Sequence, residues 1–308
     1  MTHAVVFAYH DVGVRCLSVL LAQGVDVRHV YTHADDPSEN IWFGSVAELA
    51  RLHGIPVTIV HSSDQPGLME SVAAANPDFL FSFYYRFMMP LALLALARRG
   101  AFNMHGSLLP KYRGRVPVNW AIIHGEKETG ATLHEMTAKP DAGRLVDQQA
   151  VPILPNDLAI DVFRKVTVAA EITLHRSLPH LLNGKTSLTS QDLAQGSYYT
   201  GRKPEDGRID WTQSTVAIHN LIRAVAPPYP GAFCDLNGSR LDILGTVNLG
   251  QSSGILDQPA LFIENGQIFL RAIDGGILSV TRAGYAGHTL HIANFQPLLG
   301  ALSAPLRN

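Results

Sequence analysis

Between residues 102 and 149, Asn103 and His105 stand two positions apart at the end of an apolar run, followed by a basic Pro/Gly loop, SLLPKYRGRVP, and by Asp141 in KPDAG. In an extended strand, side chains at i and i+2 leave the same face, so Asn103 and His105 point together while Phe102 and Met104 turn toward the core. An imidazole, a carboxamide and a carboxylate brought to one small pocket suit the attack of an amine on a formyl or other activated acyl group. His105 takes the amine proton, because its unperturbed pKa lies near working pH. Asn103 offers an amide N–H to the oxygen that becomes negative in the tetrahedral intermediate. Asp141 holds the imidazole in orientation and raises its basicity by charge proximity. No covalent nucleophile is needed. Taken singly, each residue also has an ordinary structural reading, as a polar pair at a strand end or as the turn residue of Pro-Asp-Ala-Gly.

The local elements decide between these readings. The run ALARRGAFNMHGS reads as a helix tail closed by Gly100, a short buried strand, and Gly106, where the chain turns and its backbone comes close to a ligand. Ligands of open parallel sheets sit beyond the carboxyl ends of the strands, where this Asn and His fall. Upstream, strand signals at 4–8, 25–31, 56–60 and 79–82 alternate with helical patterns at 12–24, 45–53 and 67–75, which predicts a doubly wound, mostly parallel α/β sheet. Downstream, 118–124 reads as a helix, and 129–135 and 144–151 as strands flanking MTAKPDAG. Asn156 or Asp157 caps a long amphipathic helix with apolar positions Val162, Phe163, Val166, Ala169 and Ile172, ending near Gly184.

Composition shifts at SQDLAQGSYYTGRKPEDG, polar and rich in turn formers, and a linker there divides a first domain, 1–200, from a second, 201–308. The second carries a helix at 216–225, then short strands with turns at Asn237-Gly238 and Asn265-Gly266. LFIENGQIFL is a strong hairpin signal, because Asn-Gly supplies the positive φ angles of a type I′ turn. A small, mostly β unit with the character of a partly open barrel is expected.

At 308 residues and 46% apolar content the chain supplies two cores. A net charge of −2 argues against a protein that coats nucleic acid, whose phosphates call for a basic footprint. Cys16 and Cys234 lack a C-x-x-C spacing and read as reduced, buried thiols. No apolar run reaches membrane-spanning length, and the amino end lacks the basic start of a secretory signal, so a cytoplasmic location is expected. The first strand contains no G-x-G-x-x-G, and neither a P-loop, an H-E-x-x-H nor a G-x-S-x-G occurs. His288 and His291 have metal-like spacing without companion ligands, so no metal is expected.

Arg113 and Arg115 flank Gly114 in the basic loop, and guanidinium forks there suit an anionic substrate or cofactor. FSFYYRFMM, 81–89, offers aromatic faces and backbone groups for a planar ring at the end of another strand.

The string FNMHGSLLPKYRGRVPVNWAIIHGEKETGATLHEM, with PDAG after it, resembles the 10-formyltetrahydrofolate-dependent formyltransferases. The resemblance runs over nearly the whole chain, through VVFAYHDVG, FSFYYR, GRKPEDGRIDW and IRAVAPPYPGAF. It implies a Rossmann-like formyltransferase domain followed by an OB-like domain, with Asn103, His105 and Asp141 as the catalytic set. It further implies folate contacts from Phe87, Met88, Met89, Arg115, Thr137, Ala138, Lys139, Pro140 and Asp141, and contacts to the second substrate from Tyr9, Ser107 and Arg113. Within the family the similarity is nearest to the enzymes that formylate UDP-4-amino-4-deoxy-L-arabinose, which implies 10-formyltetrahydrofolate as co-substrate, a nucleotide-sugar acceptor, and a part in lipid A modification and polymyxin resistance. Methionyl-tRNA formyltransferase shares the trio and both domains, but a tRNA enzyme calls for a basic channel. The sequence stops at Asn308 without the decarboxylase half of the bifunctional enzymes, so the resemblance implies a free-standing or excised formyltransferase, acting as a homo-oligomer or with a separate decarboxylase.

Overall fold

In the computed structural model, residues 2–37, 39–252, 254 and 258–307 are described. By contacts the chain divides into two compact units, one of residues 1–117, 129–151 and 164–200, the other of residues 118–128, 152–163 and 201–308.

The first part of the chain runs β1 (His3–Ala8), α1 (His10–Ala22), β2 (Asp26–Thr32), α2 (Val46–Leu52), β3 (Val57–Ile59), α3 (Leu68–Ala75), β4 (Phe79–Phe83), α4 (Leu91–Leu94) and β5 (Gly100–His105). There follow β6 (Arg113–Gly114), α5 (Pro117–Ile123), β7 (Glu128–Glu135), β8 (Leu145–Pro152), α6 (Ala159–Leu182) and β9 (Tyr198–Tyr199). The main sheet has the order β3-β2-β1-β4-β5-β7-β8, and β1 to β5 pair in parallel. The chain winds outward from β1 through β2 to β3, then returns to β4 on the other side. Sheets of this kind hold ligands beyond the carboxyl ends of their strands.

Strands buried on both faces explain the near-continuous apolar runs. Val5, Phe7, Tyr31, Leu80 and Ala101 from the strands pack with Leu68, Val72, Leu93 and Leu94 from the helices. Phe7 is fully buried, stacked on Tyr31 at 4.6 Å and edge-on to Tyr85 at 5.1 Å. Phe7→Ala is expected to cost about 3–5 kcal/mol of unfolding free energy, as buried phenylalanine truncations do, measured by denaturant titration.

Two expectations need correction. The helix of the ALARRG run stops at Leu94, and Gly100, with φ +131°, begins β5 rather than closing the helix. The long helix α6 begins at Ala159, so Leu158 rather than Asn156 or Asp157 stands immediately before its first residue. Asp157 accepts from Leu154 N–H, and the helix starts one residue later, with Asp161 accepting the Leu158 N–H in the reciprocal half of a capping box.

The second unit is mostly antiparallel β. After α7 (Thr215–Val225) come β10 (Ala232–Leu236), β11 (Ser239–Ser252), β12 (Ala260–Glu264), β13 (Gln267–Arg271), β14 (Gly276–Tyr285), β15 (His288–Leu290), α8 (Ile292–Leu299) and β16 (Ser303–Pro305). Its sheet runs β10-β11-β14-β13-β12-β16, with β15 on β14. Both Asn-Gly pairs close hairpins as their sequence predicts: Asn237 and Gly238 have φ of 50° and 79°, Asn265 and Gly266 of 48° and 71°. Ser214 caps α7 by accepting the Ala217 N–H at 3.2 Å.

Candidate active site

A cavity of about 360 Å³ lies at the carboxyl ends of β4 and β5. Its wall includes Ser82, Asn103, His105 and Gly106 from the strand ends, the segment Tyr84–Met89 after β4, and Arg115, His134, Thr137, Pro140 and Asp141. Asn103 and His105 line the cavity, as does the buried Met104 between them, whereas the buried Phe102 does not. Gly106 permits a close approach, since a Cβ there would lie 2.0 Å from the Tyr84 hydroxyl oxygen.

His105 is 6% exposed, and its Nε2 lies 2.8 Å from the Tyr112 carbonyl oxygen. A carbonyl only accepts, so Nε2 carries the proton and Nδ1 holds the lone pair. Nδ1 lies 3.6 Å from Asp141 Oδ1. The ring is therefore oriented through Tyr112 rather than through the carboxylate, a correction to the expected role of Asp141, whose part is that of a nearby negative charge.

Asp141 Oδ2 accepts the Gly114 N–H at 2.8 Å, and Oδ1 lies 3.5 Å from His134 Nε2. Burial pushes its pKa up, but the His105 and His134 imidazoles beside it and the Gly114 N–H outweigh that and hold the carboxyl well below the usual range. Gly114 makes this possible, because with φ +97° it sits where a Cβ would fall 2.1 Å from the Tyr199 carbonyl oxygen.

His134 is the residue that sequence reasoning missed. It is 1% exposed, pairs with Asn103 in the antiparallel register of β5 and β7, and its Nε2 lies 3.2 Å from Asn103 Nδ2. Its Nδ1 donates to the Glu135 carbonyl at 2.8 Å, so in the neutral ring Nε2 accepts from Asn103. One amide N–H of Asn103 is thereby held, and the second remains for a substrate oxygen. The only signal was a histidine on the alternating strand ATLHE, and its partner strand was not legible.

Phe87, Met88, Met89, Arg115, Thr137 and Pro140 line the cavity, whereas Ala138 and Lys139 are exposed and do not. Thr137 Oγ1 donates to the Lys139 carbonyl at 3.0 Å, turning that loop outward. The three expected contacts to the second substrate are not brought to this wall. Ser107 is fully buried, and its hydroxyl donates to the Lys111 carbonyl at 2.6 Å. Arg113 is 7% exposed, with Nε and Nη1 buried and unpaired among the described residues, because β6 pairs with β9 and ties its backbone to Ser197. Tyr9 donates its hydroxyl to Asp35 at 2.8 Å and stacks beneath the Arg86 guanidinium at 4.7 Å.

A second missed residue is His33, whose Nε2 accepts the Arg86 N–H at 2.9 Å and whose ring stacks on Tyr85 at 4.3 Å. Burial, with the Arg86 charge adding to it, pushes the His33 pKa down to about 4, so the ring stays a neutral acceptor that braces the Tyr84–Met89 wall. Among the described residues no group of three or more His, Cys, Asp or Glu could hold a metal ion, and no helix is long and apolar enough to cross a membrane.

A mostly parallel sheet with an amide, an imidazole and a carboxylate in a cavity at its strand ends, together with an antiparallel β unit, is the frame of a group-transfer enzyme. The chain belongs to the formyl transferase family: residues 21–178 match the formyl transferase family model, and residues 202–294 match its C-terminal domain. It is an α/β, Rossmann-like formyltransferase. Among solved structures it is similar to an N-formyltransferase from Helicobacter canadensis in complex with folinic acid and dTDP-3-aminofucose, at 20% identity and TM-score 0.70, covering 91% of this chain and 99% of that one. WlaRD, a sugar 3N-formyl transferase solved with dTDP and 5-N-formyl-THF, matches at 20% identity and TM-score 0.71, over 91% and 97%. HypX from Aquifex aeolicus, solved with tetrahydrofolic acid, matches at 18% identity and TM-score 0.62, over 91% of this chain and 43% of its own.

Proposed function

We propose that the protein transfers the formyl group of 10-formyltetrahydrofolate to the amino group of a nucleotide-linked amino sugar, with UDP-4-amino-4-deoxy-L-arabinose as the acceptor. The observation that carries the reading is the meeting of Asn103, His105 and Asp141 in one cavity whose wall continues into Phe87–Met89 and Arg115. The relatives solved with folates and dTDP-sugars support the substrate classes, and the motif resemblance supports the arabinose acceptor. In this reading the sugar amine attacks the formyl carbon, a C–N bond forms, and the oxygen takes the negative charge against the free N–H of Asn103. His105 Nδ1 takes the amine proton, and the imidazolium is stabilised by the Asp141 carboxylate beside it. Collapse breaks the bond to N10 of the folate, which leaves with the proton from His105. The amine itself is the nucleophile.

The test is to incubate the protein with 10-formyltetrahydrofolate and, separately, UDP-4-amino-4-deoxy-L-arabinose, UDP- and dTDP-linked 4-amino hexoses, and methionyl-tRNA, following tetrahydrofolate. Release with the amino sugars, fastest with the arabinose, is expected. Release with the tRNA alone overturns the assignment, since a net charge of −2 offers no general basic footprint for it.

A further inference from the structure

Asp141 occupies a backbone conformation that disfavours it. Its φ is +51°, in the left-handed region, within the connection between β7 and β8. Such a conformation persists only where its surroundings hold it. The Gly114 N–H holds the side chain, and Gln191 holds the backbone. Gln191 Nε2 donates to the Asp141 carbonyl at 3.0 Å and to the Gly143 carbonyl at 2.6 Å. The amide orientation is dictated, because the reverse would set its oxygen against two carbonyl oxygens at those distances. Its Oε1 is buried with no hydrogen-bond partner among the described residues.

The segment that carries Gln191 grips the rest of the site in the same way. Thr189 exchanges both backbone hydrogen bonds with Leu145, at 2.7 and 3.0 Å. Ser197 Oγ accepts the Tyr112 N–H at 2.9 Å, and the Ser197 carbonyl accepts the Arg113 N–H at 3.0 Å. Tyr112 in turn supplies the carbonyl that orients His105. Residues 189–199 thus brace the backbone behind both the carboxylate and the imidazole.

We propose that Gln191 is a positioning residue for Asp141, acting by donating both amide hydrogens to the backbone of the loop that carries the carboxylate. The inference rests on the roles given above to His105 and Asp141. Its test measures kcat, both KM values, the pH–kcat profile and thermal unfolding for Gln191→Ala, Gln191→Met and Gln191→Glu, with Asp141→Asn alongside. Methionine keeps the length and the packing while removing the donors, so it stands in if alanine fails to fold. Misplacing a reacting group by about 1 Å costs on the order of a hundredfold, so Gln191→Ala and Gln191→Met are expected to lower kcat about ten- to hundredfold with both KM values within about twofold. The pH–kcat profile is expected to change, because the carboxylate beside the reacting groups no longer holds one position. Gln191→Glu, with oxygens against two carbonyls, is expected to lose more. Folded variants with wild-type kcat and profile overturn the proposal, as does a loss of kcat that only tracks the folded fraction. Wild-type turnover in Asp141→Asn shows instead that the site reading itself has failed.

Discussion

His105→Ala is expected to lower kcat by about a hundredfold to ten-thousandfold, the range that follows removal of a general base. The ring is buried against the cavity, its Nε2 committed to Tyr112 and its Nδ1 left on the side of Asp141. Truncation also removes the His105 hydrogen bond to the Tyr112 carbonyl, which is expected to cost about 0.5–1.5 kcal/mol of stability. The two effects separate in the measurement: steady-state kcat at saturating substrates reports the base, and denaturant unfolding reports the fold. Binding of 5-formyltetrahydrofolate, followed by calorimetry, is expected to stay within a few-fold of wild type. A variant that keeps kcat within a factor of about three removes His105 from the chemistry.

Asp141→Asn, nearly isosteric, is expected to lower kcat by about a hundredfold, because a neutral amide no longer stabilises the cation formed on His105. It also carries a pH signature. The native pKa of Asp141 lies below the ordinary value of about 3.9, held there against burial by the neighbouring His105 and His134 imidazoles and the Gly114 N–H. A carboxyl depressed in this way contributes stability that is fully present above its unfolded pKa and is lost as pH falls toward the native value. The wild-type protein is therefore expected to lose stability more steeply than Asp141→Asn below about pH 4. Denaturant midpoints of both proteins across pH 2–7 check this, and parallel curves contradict it.

What was legible in the sequence was what local rules determine. The period of two along β5 put Asn103 and His105 on one face, and the Asn-Gly pairs marked two hairpins whose φ angles match. What was not legible depended on which distant segments meet. His134 reaches Asn103 only because β7 pairs antiparallel with β5, and a register between strands about thirty residues apart leaves no trace in either strand alone. His33 braces the cavity wall from the end of β2, 53 residues from Arg86. Arg113 and Ser107 lie in a basic Pro/Gly loop that suggests exposure, yet both are buried, Arg113 on β6 paired with β9 and Ser107 with its hydroxyl turned back to the Lys111 carbonyl. Helix α4 stops early at a run of good helix formers, a tertiary outcome that propensity does not foresee.

The most direct test of the central claim is a crystal structure of the protein with 5-formyltetrahydrofolate. The pteridine is expected between the Phe87–Met89 segment and Arg115, with the formyl oxygen within hydrogen-bond reach of Asn103 Nδ2 and the formyl group beside His105. A well-ordered folate bound elsewhere, with the cavity at Asn103, His105 and Asp141 empty, contradicts the account.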